Sequence, residues 1–300
     1  MDDTIYEKYK RAGNIAGKAR EHGATLVKEG VCYLEVATVI ETMIKEQGGG
    51  LAFPVNISVN ELAAHFSPRH DDVTSVFKKG DVVKVDVGAH VDGYIADTAM
   101  TVEVGTNKYA KMIQASRDAL KNAIALMKAN ANLSDIGNVI EETISYQGYR
   151  SIDNLTGHSL QQYNLHSGLS VPNVSDKFNR TKPKAGDVLA IEPFATNGAG
   201  HVISGNGSNI YRYQPSVKSH FIRDAKARSL AVKIHKNFNT LPFAERWCAD
   251  VLPHPEISLK RLLFAGCIKQ YPQLIDANKG IVTQTEHTMI VNEDGCEVTT

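Results

Sequence analysis

Two aspartates 11 residues apart, Asp86 and Asp97, stand in the stretch Lys84-Val85-Asp86-Val87-Gly88-Ala89-His90-Val91-Asp92-Gly93-Tyr94-Ile95-Ala96-Asp97-Thr98-Ala99-Met100. An Asp-Gly pair between alternating apolar residues signals a two-residue hairpin turn. With Asp92-Gly93 as the loop, Asp86 lies opposite Ala99 and Asp97 opposite Gly88. Side chains alternate faces along a strand, so both carboxylates project from one face. Two carboxylates buried together repel unless a cation or a proton sits between them. One strand aspartate alone would read as a turn or edge residue. Two in register, each between apolar residues, point to a metal or acid–base site.

Glu192 and Glu286 are the counterparts of Asp86 and Asp97 in a second copy of the same unit. Four such acids carry a charge of about −4, which two divalent cations neutralise, and paired cations are common in hydrolytic sites. Oxygen-rich ligation favours Co2+, Mn2+, Fe2+ or catalytic Zn2+ over a structural thiolate zinc. A histidine completes such a set, and His158 is the best placed, because the preceding Gly157 allows close backbone approach. His65 and His166 are a matched pair at an offset of 101 and would flank the cations from both halves as donors to substrate. His22, His70, His220, His235 and His254 read as hydrogen-bonded or surface residues, and His90, His201 and His287 are assigned no role. Asp81 and Asp187, each after a glycine, read as turn acids.

The elements that must position these groups repeat. Helical apolar spacing runs through Leu34–Gly48 and again through Ser134–Gly148, with Val39/Val139, Ile40/Ile140, Glu41/Glu141, Ile44/Ile144, Gln47/Gln147 and Gly48/Gly148 matched at an offset of 100. Each copy is preceded by a longer helix, residues 4–28 and 107–130, and each ends at a glycine. At an offset of 106, Lys79–Asp86 aligns with Ala185–Glu192. Val83, Val85, Leu189 and Ile191 would face the covering helices, leaving Asp86 and Glu192 on the other side. Asp97–Val102 matches Glu286–Val291; the acids are 11 apart in the first copy and 94 in the second, so the second carries an insertion of 83 residues, roughly 197–280. Helical spacing at 219–238 and 258–266, with Ser258 as N-cap, makes that insertion mostly helical. The expected fold is α+β: one domain over residues 1–300, two pseudo-symmetric helix–helix–hairpin halves and a curved antiparallel sheet whose concave face carries the acids.

Composition removes other classes. Lys+Arg equals Asp+Glu at 33 each, so no bulk charge argues for nucleic acid or an anionic membrane. No apolar run is long enough to span a membrane, and the acidic start lacks a signal-peptide core. Cys32, Cys248, Cys267 and Cys296 are widely separated, as in a reducing cytoplasm.

The ordered set Asp86, Asp97, His158, Glu192, Glu286 resembles the ligand set of the pita-bread metallopeptidases, and within them the type II methionine aminopeptidases in their short form. The resemblance covers nearly the whole chain and rests on Leu51–Pro54, Ala63–Pro68, Lys84–Gly88, Gly157–Ser159, Ala190–Phe194 and Gln284–Thr288, with Leu241-Pro242-Phe243 and Arg246-Trp247 inside the insertion. Thr285 and Pro193 depart from the commoner Phe and Thr of the family. The resemblance implies that Asp86 chelates one metal, His158 binds the other, and Asp97 and Glu286 bridge both. Glu192 would be ligand and proton shuttle, His65 and His166 would contact the peptide, and Phe53 and Leu165 would line the methionine pocket. It implies a monomeric cytoplasmic enzyme acting on nascent polypeptide N-termini at the ribosome when the second residue is small. Two rivals are an X-Pro peptidase of this fold and a non-enzymatic relative. The first carries a large domain ahead of its catalytic half, and the second loses ligands, whereas all five positions are filled here.

Overall fold

The computed structural model describes residues 1–217 and 222–300. The strands Val82–Val91 and Tyr94–Glu103 pair antiparallel, with Asp86 opposite Ala99 and Gly88 opposite Asp97, the register expected from the turn. Asp92 and Gly93 both have positive φ, 51° and 87°, as the tight turn matching strand twist requires.

Helices α1 (Asp3–Leu26) and α2 (Tyr33–Glu46) cover this hairpin. Asp2 caps α1 by accepting from the Ile5 amide at 2.9 Å. The buried face of α1 is small, with Ala12, Ala16, Ala19 and Gly23 letting the helix lie close against Ile40 of α2 and Val85 of the sheet. Val83, Val85, Ile40 and Ile44 are fully buried there, each contributing about 1.5–3 kcal/mol. In the second half α3 (Ala110–Leu126) and α4 (Leu133–Tyr146) cover strands Val188–Ile191 and His287–Val291 in the same way, with Leu189, Ile191, Ile140 and Ile144 buried. Gly48 and Gly148 follow α2 and α4 at φ 76° and 87°.

The halves are sewn together beside the acids. Ala99 and Glu286 exchange backbone hydrogen bonds at 3.0 and 3.3 Å. Thr98 Oγ1 donates to the Glu286 carbonyl, Thr288 Oγ1 donates to the Asp97 carbonyl, and Thr101 Oγ1 donates to the Gln284 carbonyl.

The insertion differs from a purely helical unit. Its helices α5 (Ala225–Phe238), α6 (Glu245–Ala249) and α7 (Glu256–Phe264) ride on two paired strands, Val202–Tyr213 and Ile268–Asp276. The glycines and polar residues of the first of these strands hid it from an apolar-spacing count. The expected helix start at Ser219 lies outside the described residues; α5 is capped by Asp224, which accepts from the Ala227 amide at 2.7 Å. Ser258 is a buried residue inside α7, not its cap, which is Pro255. The insertion has its own core around Phe243, Leu259, Leu262 and Trp247. Its strand Ile268–Asp276 also pairs with Leu62–Ala64, the strand that leads into His65.

Candidate metal centre

The five nominated ligands come from five separate places. Asp86 and Asp97 stand in the first hairpin, and His158 stands in strand Thr156–Ser159. Glu192 follows strand Val188–Ile191, where Pro193 cannot extend the ladder. Glu286 precedes strand His287–Val291. The pairs Ile191–His287 and Phe194–Gln284 on either side place Glu192 across from Glu286. His158 can stand against this strand because Gly157 precedes it: a Cβ there would come within 3.1 Å of Ile191 Cα.

All five line one small cavity of about 60 Å³, together with His65, His166, Phe53 and Leu165. Donor atoms of Asp97, His158 and Glu286 lie within 4.8 Å of one another. His158 Nε2 is 3.5 Å from Asp97 Oδ2 and 3.8 Å from Glu192 Oε1. Asp86 Oδ1, Asp97 Oδ1 and Glu286 Oε1 are buried and accept no hydrogen bond among the described residues. Buried charge without partners is costly, and these oxygens all face one void. Burial pushes the Asp86 carboxyl up to about 7. Burial first, then the neighbouring acids, raise Asp97 and Glu286 well above the carboxylate range, and burial and Asp86 do so for Glu192. Such a cluster holds either protons or cations. The donor set, three Asp or Glu oxygens without partners beside an imidazole, fits divalent metal.

The histidines are neutral bases. Burial, and then His166, lower His158 to about 3 and His65 to about 4. Burial and the Arg212 charge lower His166. The His158 and His166 rings lie 4.4 Å apart, and His65 meets Tyr271 edge-on at 5.1 Å. A neutral ring can bind a metal through one nitrogen or donate one N–H to a substrate.

Several residues in or beside the cavity were not nominated from the sequence. Gln284, 1 % exposed, donates to Glu286 Oε2 at 3.2 Å and to Glu192 Oε2 at 3.4 Å. Its position two residues before Glu286, on the same strand face, was the available signal. Tyr271, Ile210 and Asn56 line the cavity with no local pattern that marks them, and Pro242 of the Leu241-Pro242-Phe243 stretch lines it too. Leu165, His166, Pro242 and Tyr271 line a second cavity of about 330 Å³ as well, so the two adjoin. A larger groove of about 1140 Å³ lies on the insertion between Ile222 and Phe264, away from the ligand cluster. The grouping His70, Glu245, Glu256 is not comparable: the buried Glu245 already accepts from the His70 amide at 3.3 Å and meets His70 Nδ1 at 2.8 Å.

The sequence model of metallopeptidase family M24 matches residues 7–237. The chain is 47% identical over 302 residues to the methionine aminopeptidase of Methanocaldococcus jannaschii, covering 100% of both. The chain belongs to metallopeptidase family M24. Among solved structures, the methionine aminopeptidase of Thermotoga maritima superposes with a TM-score of 0.73 at 22% identity, covering 100% of this chain and 98% of that one. A thermophilic Arx1 superposes at 0.86 with 16% identity over 100% of this chain and 91% of its own. Both share the pita-bread fold. The M24 protein is a metal-dependent aminopeptidase. No helix among the described residues is long and apolar enough to cross a membrane.

Proposed function

We propose that Asp86, Asp97, His158, Glu192 and Glu286 hold two divalent cations, Co2+, Mn2+, Fe2+ or Zn2+, and that His65 and His166 bind the peptide beside them. The reaction is removal of an N-terminal methionine, and the substrates are nascent chains and peptides with a small second residue. The carrying observation is that buried carboxylate oxygens without partners, drawn from both halves, face one void. Divalent cations held there acidify water and polarise a carbonyl.

Glu192 is the proton shuttle. Its side chain is 15% exposed against 6% for Asp97, and Gln284 engages only its Oε2. The remaining oxygen can take a proton from water and return it to the leaving amine. His65 and His166, held neutral by burial, each offer an N–H to peptide oxygen as charge develops there. Phe53 and Leu165 form the apolar end that receives the thioether. Residues 1–300 act as one domain with 197–280 as its insertion, and the enzyme works as a monomer in the cytoplasm, meeting its substrates at the ribosome.

The test is a panel of Met-X-peptides and X-Gly-peptides with one metal at fixed concentration. Met-Gly and Met-Ala peptides should be cleaved fast, norleucine should substitute fairly for methionine, and leucine poorly, since apolar fit discriminates by about 1–3 kcal/mol. Equal rates for Leu-Gly and Met-Gly, or for Met-Glu and Met-Ala, would remove this reading.

A further inference from the structure

Behind the substrate wall lies a buried ion pair that the chemistry above does not use. Glu41 of α2 and Arg246 of α6 are 6% and 7% exposed and are bonded to each other through Arg246 Nη2 and Glu41 Oε1. The same carboxylate accepts from the Val55 amide at 3.1 Å and from Trp247 Nε1 at 2.9 Å. Arg246 Nη1 donates to Ser67 Oγ at 2.7 Å and to the Pro68 carbonyl at 3.0 Å. Ser67 Oγ in turn donates to the Val55 carbonyl at 2.7 Å. One charge pair thus ties together three segments: Phe53–Val55, His65–Pro68 and the start of α6.

Each segment carries a residue of the cavity within a few positions: Phe53, His65 and Pro242. His65 has φ 63°, a left-handed conformation that a non-glycine residue keeps only when its neighbours enforce it. Enforcement comes from the Ile57 amide bonding the Phe66 carbonyl at 2.9 Å and from the Arg246 clamp on Ser67 and Pro68.

The internal repeat supplies a control. Glu141, the counterpart of Glu41 on α4, accepts from the Ser175 amide at 3.0 Å at an exposed edge and meets no cationic partner among the described residues. The second helix–helix–hairpin half forms without such a pair, so the unit does not require it. What the first half has in addition is direct packing against the insertion, through Arg246 and Trp247 on Glu41.

We propose that Glu41 and Arg246 are positioning residues that hold the Phe53 and His65 walls in register with the insertion, and so set substrate affinity and second-residue selectivity. This rests on His65 and Phe53 contacting the peptide. The carboxylates on their strands are outside the clamp, so metal binding is independent of it.

The test uses the full-length metal-loaded enzyme. Removing one partner alone would strand a buried charge, so the variants are Arg246→Lys, which keeps charge but loses the two-pronged fork, and the double variant Glu41→Gln/Arg246→Met. Expected for both are a fall in kcat/KM on a Met-Ala-peptide of roughly tenfold, carried by KM, and a narrowed preference for Met-Ala over Met-Val. Calorimetric metal stoichiometry should match the parent. Parent KM and selectivity with only a lower Tm would overturn the proposal, as would loss of metal binding. If either variant fails to fold, the other decides by the same readings. His65→Ala run alongside separates the two levels: an unchanged KM there refutes the peptide contact itself, whereas a raised KM there with parent values in both clamp variants refutes only the positioning.

Discussion

Gly88 offers the sharpest test of the proposed methionine pocket. It stands in the first hairpin opposite Asp97, and its missing side chain leaves room for the Phe53 ring. A Cβ at Gly88 would find three Phe53 ring carbons as its nearest neighbours, all within 2.7 Å, where ordinary contact begins at 3.4 Å. The nearest ring carbon would lie at 2.2 Å, so in Gly88→Ala the ring or the strand must move by about 1.2 Å to restore ordinary contact. The strand is held on both sides, by Leu51 opposite Ala89 and by Ala96 opposite it again, so the ring yields. Overpacking of this kind costs about 1–3 kcal/mol of stability. A misplacement of about 1 Å at a substrate wall costs up to about 100-fold in rate. The expected outcome is a fall in kcat/KM for Met-Ala-peptides of roughly 10–100-fold, with metal affinity unchanged because no carboxylate moves. Phe53→Leu in the Gly88→Ala background should recover part of the loss. The assay is steady-state hydrolysis of a Met-Ala-peptide at fixed metal, with calorimetric metal titration beside it. Parent kinetics in Gly88→Ala would show that Phe53 does not shape the methionine pocket.

Three further outcomes are expected. Glu192→Gln should lower turnover by roughly 100-fold or more even with metal in excess; near-normal turnover would reassign the proton shuttle. His166→Ala should lower kcat/KM while calorimetric metal binding stays near that of the parent; lost metal binding would make His166 a ligand in place of His158. Chelated protein should melt lower than protein given Mn2+ or Co2+, by mass action, and its Tm should depend on pH. The Asp86 carboxyl rises from 3.8 to about 7 in the metal-free fold, so its protonated form is favoured by folding. That contribution is complete below pH 4 and is lost as pH climbs through 7, so chelated protein should melt higher at pH 5 than at pH 8. A flat profile, or no effect of metal at pH 8, would refute a clustered carboxylate site.

What the chain determines locally was legible in its residues. A two-residue turn and an alternating strand have fixed geometry, so Asp92-Gly93 alone put Asp86 opposite Ala99 and made Asp86 and Asp97 share a face. The repeat carried that logic to Glu192 and Glu286, and helical spacing located α1 to α4 within a few residues. The four acids and the pair His65 and His166 were placed by that repeat, His158 by its preceding glycine, and Phe53 and Leu165 by the family resemblance; all line one cavity. Packing alone decided the rest. Tyr271, Ile210, Asn56 and Pro242 line the cavity, and Gln284 bonds Glu192 and Glu286 beside it, because the sheet curves and the insertion folds back over it. Glu41 and Arg246 each belonged to a recognisable stretch, yet 205 positions separate them, and only the folding of the insertion against the first half made them a pair. Local geometry repeats every two or 3.6 residues and leaves a trace in sequence, whereas contact between distant segments depends on the summed packing of the whole core and leaves none.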